Sequence, residues 1–137
     1  MIRPTPKEEA EYFQQVARYF VERGETSMAR TAFRNSIHSW YEATLRQPAF
    51  IEYLRTVEKE FYEFALKDPT YIELLRIVKA YATQYPGIKE SVLCTILDRF
   101  QADDVSYAIH FGQKHGELVQ TKKGEIFRMN SVGGPFK

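Results

Sequence analysis

The chain has 137 residues, 44% of them apolar, and its 19 Lys and Arg against 18 Asp and Glu give a formal net charge of +1. That length suits one compact unit or two very small ones; the near-zero charge excludes a protein that coats nucleic acid through bulk positive charge, and a single cysteine, Cys94, excludes an internal disulfide framework or a cysteine-based zinc site. Met1-Ile2-Arg3-Pro4 lacks the apolar core of a signal peptide, and no apolar run approaches the roughly 18 residues of a membrane span, so a soluble, cytoplasmic chain with no membrane partner is expected.

Thr5-Pro6-Lys7-Glu8 reads as a capping box that opens the first helix, with Pro6 where a missing N–H costs nothing. Phe13, Val16, Ala17 and Phe20 recur at helical spacing up to a stop at Gly24. A second helix carries Ala29, Ala32, Phe33, Ser36, Ile37, Trp40 and Tyr41 on one broad face and ends before Pro48. Ala17, Phe20, Gly24, Ala29 and Phe33 fall at spacings that resemble the small and aromatic packing positions of a single tetratricopeptide-type unit, with Ser36 in place of the usual Ala.

Two similar segments follow: Pro48 to Val57 aligns with Pro69 to Val78, and each reads as a helix with proline in its first turn. Phe50, Leu54, Val57, Phe61 and Phe64 form the apolar stripe of one, and Tyr71, Leu74, Leu75, Val78 and Ala82 that of the other. Tyr85-Pro86-Gly87 turns the chain into a fifth helix from Ile88, whose expected buried face is Val92, Leu93, Ile96, Leu97 and Phe100. Asp103 is expected to cap a sixth helix that buries Val105, Ala108, Ile109 and Gly112 and ends at Gly116. Leu118-Val119 and Ile126-Phe127, separated by a polar loop with Gly124, read as a β-hairpin, and residues 131–137 as a loose tail.

The order apolar helix, aspartate-opened helix, Gly-Glu-Leu-Val, Lys-Lys-Gly, Ile-Phe-Arg resembles a winged-helix domain, with helices at Tyr71 to Gln84, Ile88 to Asp98 and Asp103 to His115 and a wing at Glu117 to Met129. The fold expected is therefore mainly α, a helical bundle of about six helices ending in a winged-helix β-hairpin. Its regions are an N-terminal helical part (1–67), a winged-helix-like part (68–130) and the tail, with the first two behaving as one cooperative unit. The resemblance implies a non-enzymatic binder of double-stranded DNA, a transcriptional regulator or architectural protein acting as a homodimer. It also implies that the third of these helices enters the major groove with Ser106, Tyr107, His110, Gln113 and Lys114 outward. Gln113 would engage adenine, Ser106 a phosphate or base edge and Lys114 a phosphate or guanine, while Lys122, Lys123 and Arg128 of the wing meet the backbone. Asp103 and Asp104 at the helix entry depart from that pattern, because carboxylates repel phosphates.

Charge distribution points the same way: residues 110–137 carry a net +3 and the preceding 109 residues a net −2. No catalytic signature, phosphate loop or cofactor motif is present, and His110 and His115 lack the i, i+4 spacing of a helical metal pair. His38 reads as a packed or surface residue, and Cys94, with Glu90 and Asp98 a turn to either side, has nothing to activate it. Ten Phe, nine Tyr and one Trp concentrate in the first four helices. The alternative function is therefore a scaffold module that binds another protein through Tyr12, Tyr19, Tyr53, Tyr62 and Tyr81 at the stripe edges.

Overall fold

A computed structural model describes residues 3–129, so the expected tail lies outside the described residues. Among these the chain is mainly helical, with six α-helices, one 3-10 turn and a small antiparallel sheet of three strands. It divides into two compact units, Met1–Leu66 and Lys67–Lys137.

The first unit holds α1 (Pro6–Glu22), α2 (Thr26–Arg46) and α3 (Ile51–Ala65). Thr5 Oγ1 accepts from the Glu8 N–H at 3.2 Å and the Thr5 N–H donates back to Glu8 Oε1 at 3.1 Å, the capping box read in the sequence. α1 is capped at Arg23, and the chain turns away at Gly24, whose φ of +72° is available to glycine at little cost. Helices α1 and α2 meet along small residues: Ala10, Ala17, Ala29 and Ala32 are buried, whereas Phe13, Val16 and Phe20 are only partly so. Ser36 is fully buried in this seam and donates to the Ala10 carbonyl at 2.8 Å, which satisfies a hydroxyl that would otherwise be costly there. Pro48 does not open α3 directly; it starts a 3-10 turn, Pro48–Phe50, that leads into the helix. From α3, Leu54, Val57 and Phe61 complete the core, with Phe61 stacked on Phe33 at 5.2 Å and Tyr53 stacked on the buried Trp40 at 5.0 Å.

A polar chain borders that core. Glu60 of α3 accepts from Arg18 Nε (2.9 Å), Arg18 Nη2 (2.6 Å) and Gln14 Nε2 (2.7 Å), and Gln14 Oε1 accepts from Trp40 Nε1 at 3.3 Å. Burial opposes ionisation of Glu60, but the hydrogen bonds from Arg18 and Gln14 and the charge of Arg18 outweigh it and hold the carboxyl below its ordinary value of 4.5. A depressed carboxyl contributes stability above its unfolded pKa and loses it as pH falls through the folded one. Thermal melts are therefore expected to drop below about pH 4.5 more steeply in the unaltered chain than in Glu60→Gln, and equal slopes would reject this role.

The second unit runs α4 (Pro69–Gln84), β1 (Ile88–Lys89), α5 (Glu90–Ile96), α6 (Ala102–Lys114), β2 (Leu118–Gln120) and β3 (Glu125–Arg128). Asp68, 1% exposed, caps α4 by accepting from the Thr70 N–H at 3.2 Å. The sheet order is β1-β3-β2, antiparallel, with Ile88 opposite Ile126, Lys89 opposite Glu125, and Leu118, Val119 and Gln120 opposite Arg128, Phe127 and Ile126. Leu74, Val78, Leu93, Val105, Ile109, Leu118 and Ile126 are buried and fill the core. Gly112 lets α6 close on its neighbours: a Cβ there would lie 2.5 Å from Leu118 Cδ1 and 2.8 Å from Leu75 Cδ1. Tyr71 and Asp104, both buried, share a 2.8 Å hydrogen bond from the phenol to the carboxylate, and Lys79 pairs with Glu117 at 2.9 Å.

Four sequence expectations are corrected in this unit. Ile88 and Lys89 are not helical; the Gly87 N–H donates to the Ile126 carbonyl at 2.9 Å and directs them into β1. On α5, Leu93 and the capping Leu97 are buried, but Val92 and Ile96 are each 45% exposed, because a seven-residue helix lays only one narrow edge on the core. The N-cap of α6 is Gln101 with no side-chain cap bond, so Asp103 does not cap it. Asp104 does not stand at the surface of the helix entry but is buried against Tyr71; Asp103 alone is exposed there.

Candidate functional site

The helical period sorts α6 into two faces. Asp104, Val105, Ala108, Ile109, Phe111 and Gly112 are buried, and opposite them lie the exposed Asp103, His110 and Lys114. Ser106 and Gln113 flank this outer strip on one edge and Tyr107 on the other, all three half-buried. The five α6 residues assigned from sequence thus share one face. Their surroundings differ: Tyr107 stacks on Phe111 at 5.9 Å, while Ser106 Oγ donates to Glu90 Oε2 at 2.6 Å. The second Glu90 oxygen accepts from Gln120 Nε2 of β2 at 2.9 Å, and Gln113 Nε2 lies a long 3.5 Å from Gln120 Oε1.

The hairpin turn is tightly closed. The Thr121 N–H donates to the Glu125 carbonyl and the Gly124 N–H to the Thr121 carbonyl, both at 2.9 Å, with Gly124 at φ +82°. Thr121 Oγ1 accepts from the Glu125 N–H at 3.2 Å. The Glu90 N–H also donates to the Gly124 carbonyl at 3.0 Å, so the start of α5 holds the turn. Lys122 and Lys123 are exposed at its tip.

Arg128 stands apart from them. It is at the end of β3 remote from the turn, opposite Leu118, and its Nη1 donates to Thr83 Oγ1 of α4 at 3.2 Å. The basic residues assigned from sequence therefore fall in three places: Lys114 at the end of α6, the lysine pair at the turn, and Arg128 beside α4. Two further charged residues were missed. Lys89 is exposed on β1 and reaches the turn end of the sheet only because β1 pairs with β3; Glu90 meets Ser106 and Gln120 from 16 and 30 residues away. Lys89 has no local sequence signal, and Glu90 only that of an acidic residue in the first turn of a helix.

This surface can offer cations at the turn, a phenol, an imidazole and an amide on α6, and carboxylates at Asp103 and Glu90. Among the described residues no group of three or more His, Cys, Asp or Glu is placed to hold a metal ion. Burial raises the pKa of the Cys94 thiol, and the Glu90 and Asp103 carboxylates raise it further, so the thiolate is disfavoured. No helix among the described residues is long and apolar enough to cross a membrane. No protein-family model matches the chain, and neither does any curated protein or solved structure.

Proposed function

We propose that this chain is a non-enzymatic winged-helix protein that binds double-stranded DNA, as a transcriptional regulator or an architectural binder. The observation that carries the reading is the pairing, within one unit, of an outward polar face on α6 with a closed hairpin whose tip bears Lys122 and Lys123. In this reading α6 lies in the major groove, Gln113 and His110 face base edges, and the lysines meet phosphates. The burial of Asp104 favours it, since one of the two carboxylates expected at the helix entry is withdrawn from the DNA-facing side. Fluorescence anisotropy of the full chain with a labelled duplex at low salt is expected to give saturable binding; no binding at micromolar protein rejects the reading. As a reader of two half-sites the chain would act as a homodimer, and a single monomeric species in sedimentation at micromolar concentration would reject that part alone.

A second reading has its own observation. Of the twelve exposed large apolar residues among those described, eight lie in the first unit, including Tyr12, Tyr19, Tyr41 and Tyr53. That unit, whose first two helices resemble a tetratricopeptide-type hairpin, would then be a protein-binding scaffold surface. An unaltered chain that binds no duplex would favour it over the first.

A further inference from the structure

Glu90 touches all three parts of the surface described above. Its backbone N–H donates to the Gly124 carbonyl of the turn at 3.0 Å, one carboxylate oxygen accepts from Gln120 on β2 at 2.9 Å, and the other accepts from Ser106 on α6 at 2.6 Å. β2 and β3 pair over only three residue positions, and the turn that carries Lys122 and Lys123 lies beyond the last of them. β1 adds two more pairs on the far side of β3. At the end of β2 remote from the turn, Leu118 packs on Gly112 of α6 and the Glu117 N–H donates to the Gly112 carbonyl at 2.8 Å, but neither set of ladder bonds reaches α6. The Glu90 carboxylate does: charge-assisted hydrogen bonds are shorter and stronger than neutral ones, and here two of them converge on a half-buried carboxylate from the helix and from the hairpin.

We propose that Glu90 is a positioning residue that sets the angle of the hairpin against α6, so that Lys122 and Lys123 and the outer face of α6 engage one stretch of duplex together; this rests on the DNA-binding reading. The placement is otherwise hard to reconcile with that reading. A carboxylate beside a phosphate-binding surface weakens binding through repulsion, and it takes up the Ser106 hydroxyl as a donor. The cost is offset if the tether removes the disorder that the hairpin would have to lose on binding. Glu90 thereby acts through the residues it holds and not by contact with DNA.

Two substitutions separate position from charge. Glu90→Gln keeps the length of the side chain and an oxygen that accepts from Ser106 or Gln120, but removes the negative charge; Glu90→Ala removes both. Hydrogen exchange is read at Gln120 to Gly124, duplex affinity by anisotropy across a salt series, and helix content by circular dichroism to confirm that both variants fold. Glu90→Ala is expected to speed exchange in the turn about tenfold, to weaken duplex binding about tenfold and to flatten its salt dependence, because the turn lysines no longer arrive with the helix. Glu90→Gln is expected to restore slow exchange and to bind at least as tightly as the unaltered chain. Equal or tighter binding by both variants would overturn the proposal and leave only a repulsive charge, and unchanged exchange in Glu90→Ala would overturn it as well. If the unaltered chain binds no duplex, the DNA-binding reading fails by itself, and the exchange contrast between the two variants still decides whether Glu90 holds the hairpin.

Discussion

Replacing Lys122 and Lys123 together by alanine is expected to weaken duplex binding about 60-fold at 0.1 M salt, equally for all DNA sequences. Each phosphate neutralised releases close to one counterion, and two such contacts carry a slope of about −1.8 in log affinity against log salt. With Lys114 as a third contact the unaltered chain should show a slope of about −3, which the double substitution reduces to about −1. Arg128 is expected to add little, because it is directed toward Thr83 and sits at the far end of β3 from the turn. Anisotropy titrations from 50 to about 300 mM salt measure all of this in one series. A double variant with an unchanged slope would show that the turn does not meet the backbone. Gln113→Ala makes the complementary contrast: loss of discrimination at one base pair, by about 1 to 3 kcal/mol, without a change in slope.

Gly112→Val is expected to destabilise the second unit by about 3 kcal/mol, with chemical denaturation as the measurement. Even a methyl group at this position falls 2.5 Å from Leu118 Cδ1 and 3.0 Å from its Cγ, with Leu75 on the other side. Leu118 is 1% exposed and forms the first residue of β2, so it has no empty space to move into without shifting the strand. Gly112→Ala should cost less, because the better helix propensity of alanine, about 1 kcal/mol, offsets part of the overpacking. If valine were tolerated with a loss below about 0.5 kcal/mol, the close approach of α6 to β2 would be wrong.

Local signals were the legible ones. The capping box at Thr5, the stop at Gly24 and the inward set Val105, Ala108, Ile109 and Gly112 all follow from rules that act within one or two helical turns, and the outer face of α6 follows from them by rotation. What escaped depends on partners distant in sequence. β1 is two residues long, too short for any alternating pattern, and exists because β3 supplies its hydrogen bonds. The apolar character of Val92 and Ile96 signals a helix face but not how much of it is covered, and the short α5 covers only Leu93 and Leu97. Asp104 is buried because Tyr71, 33 residues earlier, presents a phenol to it. Glu90 likewise carries no local sign of its role, because Ser106 and Gln120 reach its two oxygens only through the fold.

The strand order gives the two units different schedules during synthesis. β3 lies between β1 and β2, so both of those strands keep unpaired edges until the residues up to Arg128 have been made. In the first unit the seam between Ser36 and Ala10 and the stack of Phe33 on Phe61 are available as soon as α3 has been made. The nascent chain therefore completes its N-terminal helices early and carries an open, edge-exposed C-terminal unit for longer, the interval in which chaperone binding and misassociation would act on it.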